Sequence, residues 1–236
     1  MKLSNETRDV LKNFASINSN LLVKPGKQIA TMSAMRNIVA LATIEETFET
    51  EFAIYDLNEF LAALSLFKKP VLDFKEKYMM IQEDGSKKSI KYYYTPNDMV
   101  TEPKSDLHMP ETDVEFVLTH DEFVNIQRAA SVLGVPDLVM NASVTGEVEL
   151  TVTDRKNSTS NTFSLVVGDN STTNLVSNFK TENLKLLPDD YKVKVAQVGI
   201  SHFKSKDRDV EYFIALETHW LILFEIFIMK DFLWVE

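Results

Sequence analysis

The side chains in this 236-residue sequence that could do chemistry are four histidines, a few carboxylate clusters, one run of tyrosines and a sparse set of lysines and arginines. His108, His120, His202 and His219 are scattered, without His-x-x-Glu-His spacing, and no cysteine is present to complete a zinc site. Glu45-Glu46, Asp189-Asp190 and the acids of Asp207–Glu211 are the groups that a Mg²⁺-dependent nuclease would use. They fall in loops or at strand edges, where solvated charge is the expected reading. No Gly-x-Ser-x-Gly elbow occurs. With only six glycines and neither GxGxxG nor GxxxxGK[ST], no phosphate-cradling loop is expected. The sequence therefore reads as a non-enzyme with no metal and no cofactor.

Tyr92-Tyr93-Tyr94 is the one cluster on which nucleic-acid bases could stack. Strand alternation turns at least one of these rings into a sheet, so packing, with a possible place at a subunit edge, is the preferred reading. A single-stranded nucleic-acid-binding accessory protein stays open as the alternative. A net charge of −10 argues against a protein that grips phosphates with its whole surface. It leaves room for a few positive charges gathered on one surface.

Those charges sit on repeated elements. Four times a few β-type residues lead through a polar capping residue into an amphipathic helix: Lys2–Ile17, Ala53–Leu66, Phe116–Val132 and Asn178–Leu187. The first predicted helix, about 5–18, buries Val10, Leu11, Phe14 and Ile17 and turns Arg8 and Lys12 outward, one turn apart. The second opens at Asp56 with Glu59 as its capping pair, buries Phe60, Leu61 and Leu64, and ends at Lys68-Lys69-Pro70. In the third, Thr119 and Glu122 form a capping box, Phe123, Ile126, Ala130 and Leu133 point inward, and Asn125 and Arg128 point out. The fourth is short, about 181–187, with Leu184 and Leu187 in the core and Lys180 and Lys185 toward solvent.

Each helix is followed by strand-like sequence, with turns expected at Pro25-Gly26, Asp84-Gly85 and Thr145-Gly146. A proline-rich, aperiodic stretch interrupts the pattern. The division is thus a domain over 1–96, a linker over 97–111, a second domain of the same design over 112–217, and a tail over 218–236. The class is α+β, two similar domains each with two helices on curved antiparallel sheets. Without cysteines, and with no signal-peptide pattern in MKLSNETRDV, a reducing interior is the expected compartment.

Met1–Asn18, Ala53–Leu66 and Tyr212–Glu217 resemble the sliding clamps of T-even-type bacteriophages, the DNA polymerase processivity factors, and the likeness runs in order from Met1 to Glu217. The resemblance implies a trimeric pseudo-sixfold ring in which helices line the hole and sheets form the wall. It implies a clamp-loader ATPase complex that places the ring on duplex DNA, a replicative polymerase that the ring tethers, no catalysis, and a link to late transcription. Its setting would be the cytoplasm of the infected bacterial host, at replication forks. Arg8, Lys12, Lys68, Lys69, Arg128, Lys180 and Lys185 would then face the DNA without reading sequence. Ser131 stands where the family tends to place another basic residue. The family's apolar partner pocket near the linker implies Met99, Val100, Leu107 and Met109 as rim residues, or else as anchors of the linker. By the same analogy, the strand around Ser89–Tyr94 of one subunit meets that around Thr162–Val167 of the next.

From His219 to Glu236 the resemblance stops, in a segment with two tryptophans that is too short to span a bilayer. Its last residues, MKDFLWVE, look like the opening of a clamp-loader subunit. The expectation is a reading-frame run-on, with the working chain ending near Glu217; a genuine added strand or helix over the partner pocket or a subunit edge is the alternative. Intact mass of the product of the natural gene distinguishes them.

Overall fold

The structure, a computed structural model, describes residues 1–103, 107–144, 146–168 and 173–217. They form two compact units, one from Met1–Ala34 and Val39–Pro103, the other from Met35–Ile38 and the described residues of 107–217. Residues 97–102, expected as linker, are fastened to the first unit. Asn97 donates to Glu51, the Thr101 N–H donates to Asn20 Oδ1 at 2.8 Å, and Lys24 pairs with Glu102 at 2.6 Å. The expected tail, together with Thr145 and His219, lies outside the described residues.

In the first unit, helix α1 (Asn5–Ile17) is capped by Ser4, whose Oγ accepts the Thr7 N–H at 3.1 Å. Glu46 closes the same end, accepting from the Ser4 N–H and the Thr7 hydroxyl. A carboxylate at the positive end of a helix dipole is favourable, so Glu46 is a structural cap and not a solvated acid. Val10, Leu11, Phe14 and Ile17 are buried as their spacing requires.

Strands β1 (Leu21–Val23), β2 (Gly26–Met32), β3 (Ile38–Phe48) and β4 (Phe52–Ile54) follow. β1 pairs with β4 and β2 with β3, both antiparallel. The turn expected at Pro25-Gly26 therefore joins two strands that pair with other partners. Pro25 removes an amide donor there, and Gly26, at φ 123°, sends the chain to a new partner.

Helix α2 (Leu57–Ser65) starts where Asp56 accepts the N–H groups of Asn58 and Glu59 at 2.9 and 3.1 Å. It stops before Lys68-Lys69-Pro70, because the Leu66 and Phe67 amides reach back only three residues, to Ala63 and Leu64, tightening the last turn. An antiparallel meander of β5 (Val71–Phe74), β6 (Tyr78–Gln82) and β7 (Ser89–Tyr93) completes the unit, with β7 at its edge.

The second unit opens with β8 (Val114–Leu118) and α3 (His120–Leu133). The capping box is present in full: Thr119 Oγ1 accepts the Glu122 N–H at 3.3 Å and Glu122 accepts the Thr119 N–H at 2.8 Å. Asp190 adds a third partner by accepting the His120 N–H at 2.8 Å. Gly134 ends the helix at φ 65°, a left-handed cap that glycine adopts without steric cost. Phe123, Ile126 and Ala130 are buried, while Leu133 is half-buried at the last turn.

β9 (Asp137–Ala142), β10 (Val148–Thr153), β11 (Phe163–Gly168) and β12 (Leu175–Lys180) form an antiparallel sheet in the order β11-β10-β9-β12, leaving β11 at an edge. β13 (Tyr191–Ala196), β14 (Ile200–Ser205) and β15 (Val210–Ala215) run antiparallel, with β8 beside β13. β14 is not obvious in the sequence. Ser201 and Ser205 are buried among its apolar residues, Ser201 donating to the Ile214 carbonyl at 2.8 Å, and these polar residues hide the strand's alternation.

The fourth helix does not form as expected. Only Thr181–Asn183 is helical, as one 3₁₀ turn. Leu184, Leu186 and Leu187 are all buried, more than the Leu184–Leu187 stripe expected of an amphipathic helix, and Pro188 follows at once. The described chain thus holds three α-helices, two in the first unit and one in the second, in place of two per domain.

Candidate functional site

The seven basic residues singled out in the sequence have unequal surroundings. On α1, Arg8 is half-buried and its Nη2 donates to the Leu3 carbonyl at 3.2 Å, so its guanidinium is drawn back toward the chain start. Lys12 is exposed, with Asp9 3.1 Å away one turn earlier, an arrangement worth little in water. Lys68 and Lys69 are exposed beyond the end of α2, and the Lys69 N–H is held by Glu83 at 3.1 Å. Arg128 is exposed on α3 beside Asn125, above a shallow apolar depression walled by Ala129, Val132, Leu133 and Phe163. These residues put positive charge on helix faces or at a helix end, as expected.

Lys180 is different. It ends strand β12, opposite Asp137 of β9 in register, and its Nζ lies 2.5 Å from Asp137 Oδ1 and 3.7 Å from Glu217. Burial works to raise the Asp137 pKa, but the Lys180 ammonium and the Arg155 N–H outweigh it and hold the carboxyl below its ordinary value. Lys180 is therefore a buried-pair partner and does not occupy a solvent-facing helix position. Lys185 lies half-buried in the non-helical segment after the 3₁₀ turn. Gln127 of α3 donates to the Leu184 carbonyl of that segment at 3.4 Å, tying the two together.

Of the carboxylates assigned to possible metal chemistry, Glu46, Asp189, Asp190 and Glu211 have structural partners. Asp189 is buried, accepts from Ser205 Oγ at 2.8 Å and pairs with Arg208 at 3.3 Å, while Asp190 caps α3. Among the described residues, no three His, Asp or Glu side chains converge as a metal site would need.

The tyrosine run divides by strand alternation. Tyr92 donates to the Asp56 carbonyl at 3.2 Å and meets Phe60 edge to face at 5.4 Å; burial, with Glu59 and Asp56 nearby, pushes its pKa up to about 12. Tyr94 packs against Phe52 at 5.3 Å. Only Tyr93 is turned out, 62% exposed, with Lys91 over the rings of Tyr78 and Tyr93 at 4.1 and 5.0 Å. Two of the three rings are thus committed to packing.

Of the four candidate partner residues, Met99 is exposed and Val100 and Met109 are half-buried. Leu107 is buried, at 8% exposure. The strands around Ser89–Tyr94 and Thr162–Val167, expected by family analogy to meet between subunits, are both sheet edges. On β11, Val166 is 52% exposed, as Tyr93 is on β7, and neither edge has a pairing strand among the described residues. Edge strands offer unpaired amides and carbonyls to another chain.

Residues 4–98 match the family model for the DNA polymerase processivity factor, and residues 115–218 match that for the gp45 sliding clamp, C terminal. The chain is 36% identical over 222 residues to the sliding clamp of Vibrio phage KVP40, taking in 92% of this chain and 99% of that one. It is 27% identical over 224 residues to the sliding clamp of Escherichia phage RB69, and 26% over 226 residues to that of Enterobacteria phage T4; each covers 92% of this chain and 97% of the relative. Among solved structures, the proliferating cellular nuclear antigen of Entamoeba histolytica is similar at a TM-score of 0.66 and 16% identity, over 89% of this chain and 94% of that one. A. fulgidus PCNA, solved with the C-terminal region of FEN-1 bound, is similar at 0.68 and 12%, over 92% and 96%. At those identities the two structures speak to the fold alone.

Proposed function

The chain belongs to the sliding-clamp family of DNA polymerase processivity factors, and on that premise we propose that three copies close into a ring around duplex DNA, the helices inward and the sheets outward. The observation that carries this reading is that β7, with Tyr93, and β11, with Val166, are sheet edges with an exposed apolar side chain, one on each unit. One open edge on each unit lets identical copies join head to tail, and such an interface closes when the rotation allows it. The inward helices carry Arg8, Lys12 and Arg128, with Lys68 and Lys69 beyond α2. Sparse positive charge suits DNA held by topology, because tight phosphate contacts would resist sliding.

The ring tethers a replicative polymerase, and an ATP-dependent clamp loader opens it and places it on DNA. Partner segments dock at Met99 and Val100 of the first unit; the A. fulgidus PCNA structure, of similar fold, has the C-terminal region of FEN-1 bound. The clamp catalyses nothing itself and acts at replication forks in the cytoplasm of the infected bacterium. A role with late-transcription machinery rests on family membership alone. The competing reading, a binder of single strands, is disfavoured by the inward rings of Tyr92 and Tyr94. Sedimentation velocity tests the ring: a trimer is expected, and a monomer at every workable concentration would contradict it.

A further inference from the structure

Each of the two edges carries a charge that finds no opposite partner within its own chain. On β7, strand alternation turns Tyr92 toward Phe60 of α2 and sends Lys91 and Tyr93 to the other face of the sheet. Lys91 is exposed, its ammonium over the rings of Tyr78 and Tyr93. The one carboxylate in its row is Asp73, beyond Met80 on β5, and Asp73 is held by Lys75 at 2.8 Å. Among the described residues, Lys91 has no ion pair.

The opposite charge stands one strand in from β11. Phe163 lies on the α3 side of its sheet, beside Val132 and Leu133, so Ser164 and Val166 face away from the helix. Val166 is opposite Glu149 of β10, Glu149 is opposite Asn141 of β9, and Val176 of β12 completes the row. No lysine or arginine shares that row, and among the described residues Glu149 has no ion pair. Asp137 and Lys180 lie at the other end of the same face and are spent on each other. Glu147 is exposed at the turn that leads into β10.

With the helices inward, Lys91 of one copy and Val166 of the next fall on the same outer side of the contact. The strand pairings in both sheets are antiparallel, and β11 pairs regularly only from Phe163 to Val166, before its register shifts. Antiparallel pairing over that stretch sets Tyr92 opposite Leu165 on the inner side and Lys91 opposite Val166 on the outer side. Lys91 and Glu149 are then two strand spacings apart, about 10 Å between backbones, a gap that an extended lysine and a glutamate span together. The lysine stem crosses Val166, whose exposed methyls suit its methylenes. A register two residues away puts Lys91 in the row of Ser164 and Thr151, whose hydroxyls already meet at 2.7 Å, and leaves both charges unanswered.

We propose that Lys91 of one copy pairs with Glu149 of the next across Val166, tying adjacent subunits on the outer side of the β7–β11 contact. The pair rests on the ring reading and gives that contact a charge complementarity that fixes its register. One exposed ion pair is worth little, but a closed trimer holds three, and assembly reads their sum.

The test is sedimentation equilibrium of the full chain at low salt, with K91E, E149K and the double variant K91E/E149K. Each single reversal sets like charges across the contact and should raise the concentration for half-assembly about tenfold. The double variant should return to within about twofold of the natural chain, a recovery that damage to either fold would not give. E147K combined with K91E is the control and should not restore assembly. A carbodiimide cross-link between Lys91 and Glu149 should join isotopically light and heavy copies, which places it between chains. Trimers that form alike in every variant, equal restoration by E147K, or Lys91 cross-linked to Asp73 of its own chain would overturn the pair and leave the ring standing. A natural chain that stays monomeric at every workable concentration would contradict the ring reading itself, and the pair with it.

Discussion

Lys180 and Asp137 stand opposite each other at the ends of β12 and β9, their charged atoms 2.5 Å apart, with the Asp137 side chain 3% and the Lys180 side chain 24% exposed. This pair holds the corner where α3, β9 and the 3₁₀ turn meet, since the neighbouring Thr181 N–H donates to the Pro136 carbonyl at 2.9 Å. It also explains why a lysine suited to DNA in the sequence is spent on structure.

Removing Lys180 leaves a buried carboxylate without its ammonium partner, whereas removing Asp137 leaves Lys180 24% exposed with Glu217 at 3.7 Å. Lys180→Met should therefore cost about 3 kcal/mol, read from urea unfolding, and Asp137→Ala should cost less. The double variant should lose less than the sum of the two. Costs that add fully would show that the pair is not coupled.

The same pair sets a pH dependence. The Asp137 pKa is lower in the folded state than in the unfolded chain, so its contribution is complete above the unfolded value of about 3.9 and is lost as pH falls through the still lower folded value. Urea midpoints measured downward from neutral pH should therefore fall more steeply for the natural chain than for Asp137→Asn at the acid end. Parallel curves would refute this.

The two ends of α3 are separate sources of stability. Thr119→Ala removes the capping box and should cost about 1 kcal/mol. Gly134→Ala forces a side chain into a left-handed conformation at φ 65° and should cost about 1 kcal/mol. With the ends far apart, the costs should add, as denaturant melts of the single and double variants would show.

Charge on the helix faces should matter for DNA and not for assembly. Replacing Arg8, Lys12 and Arg128 together by Gln is expected to lower loading on DNA about tenfold at moderate salt, while sedimentation stays unchanged. Charge at the sheet edges should do the reverse. Tyr93→Glu or Val166→Glu places a carboxylate on an edge that must pair and should shift the sedimenting species from trimer to monomer.

Much of this was legible in the chain. Alternation and capping chemistry are local, so α1, α3 and most strands followed from residues within a few positions of each other. The family emerged because the likeness is long and nearly continuous. Three things were hidden, each because it depends on a distant partner. Lys180 reads as a solvated charge until β9 brings Asp137 beside it. Glu46 reads as a surface acid until it closes the end of α1. The fourth helix reads as amphipathic until Leu186 is seen buried between Leu184 and Leu187. The strands that carry Tyr93 and Val166 were expected at a subunit contact from the family likeness, and the sheet orders put both at edges.

Whether this protein holds DNA by enclosing it is decided by topology. The chain, loaded by a clamp-loader ATPase onto a nicked circular plasmid and freed of excess protein by gel filtration, should stay with the circle. Cutting the plasmid once should release it within the time needed to slide to an end. Retention on the linear DNA equal to that on the circle would contradict enclosure and favour direct binding.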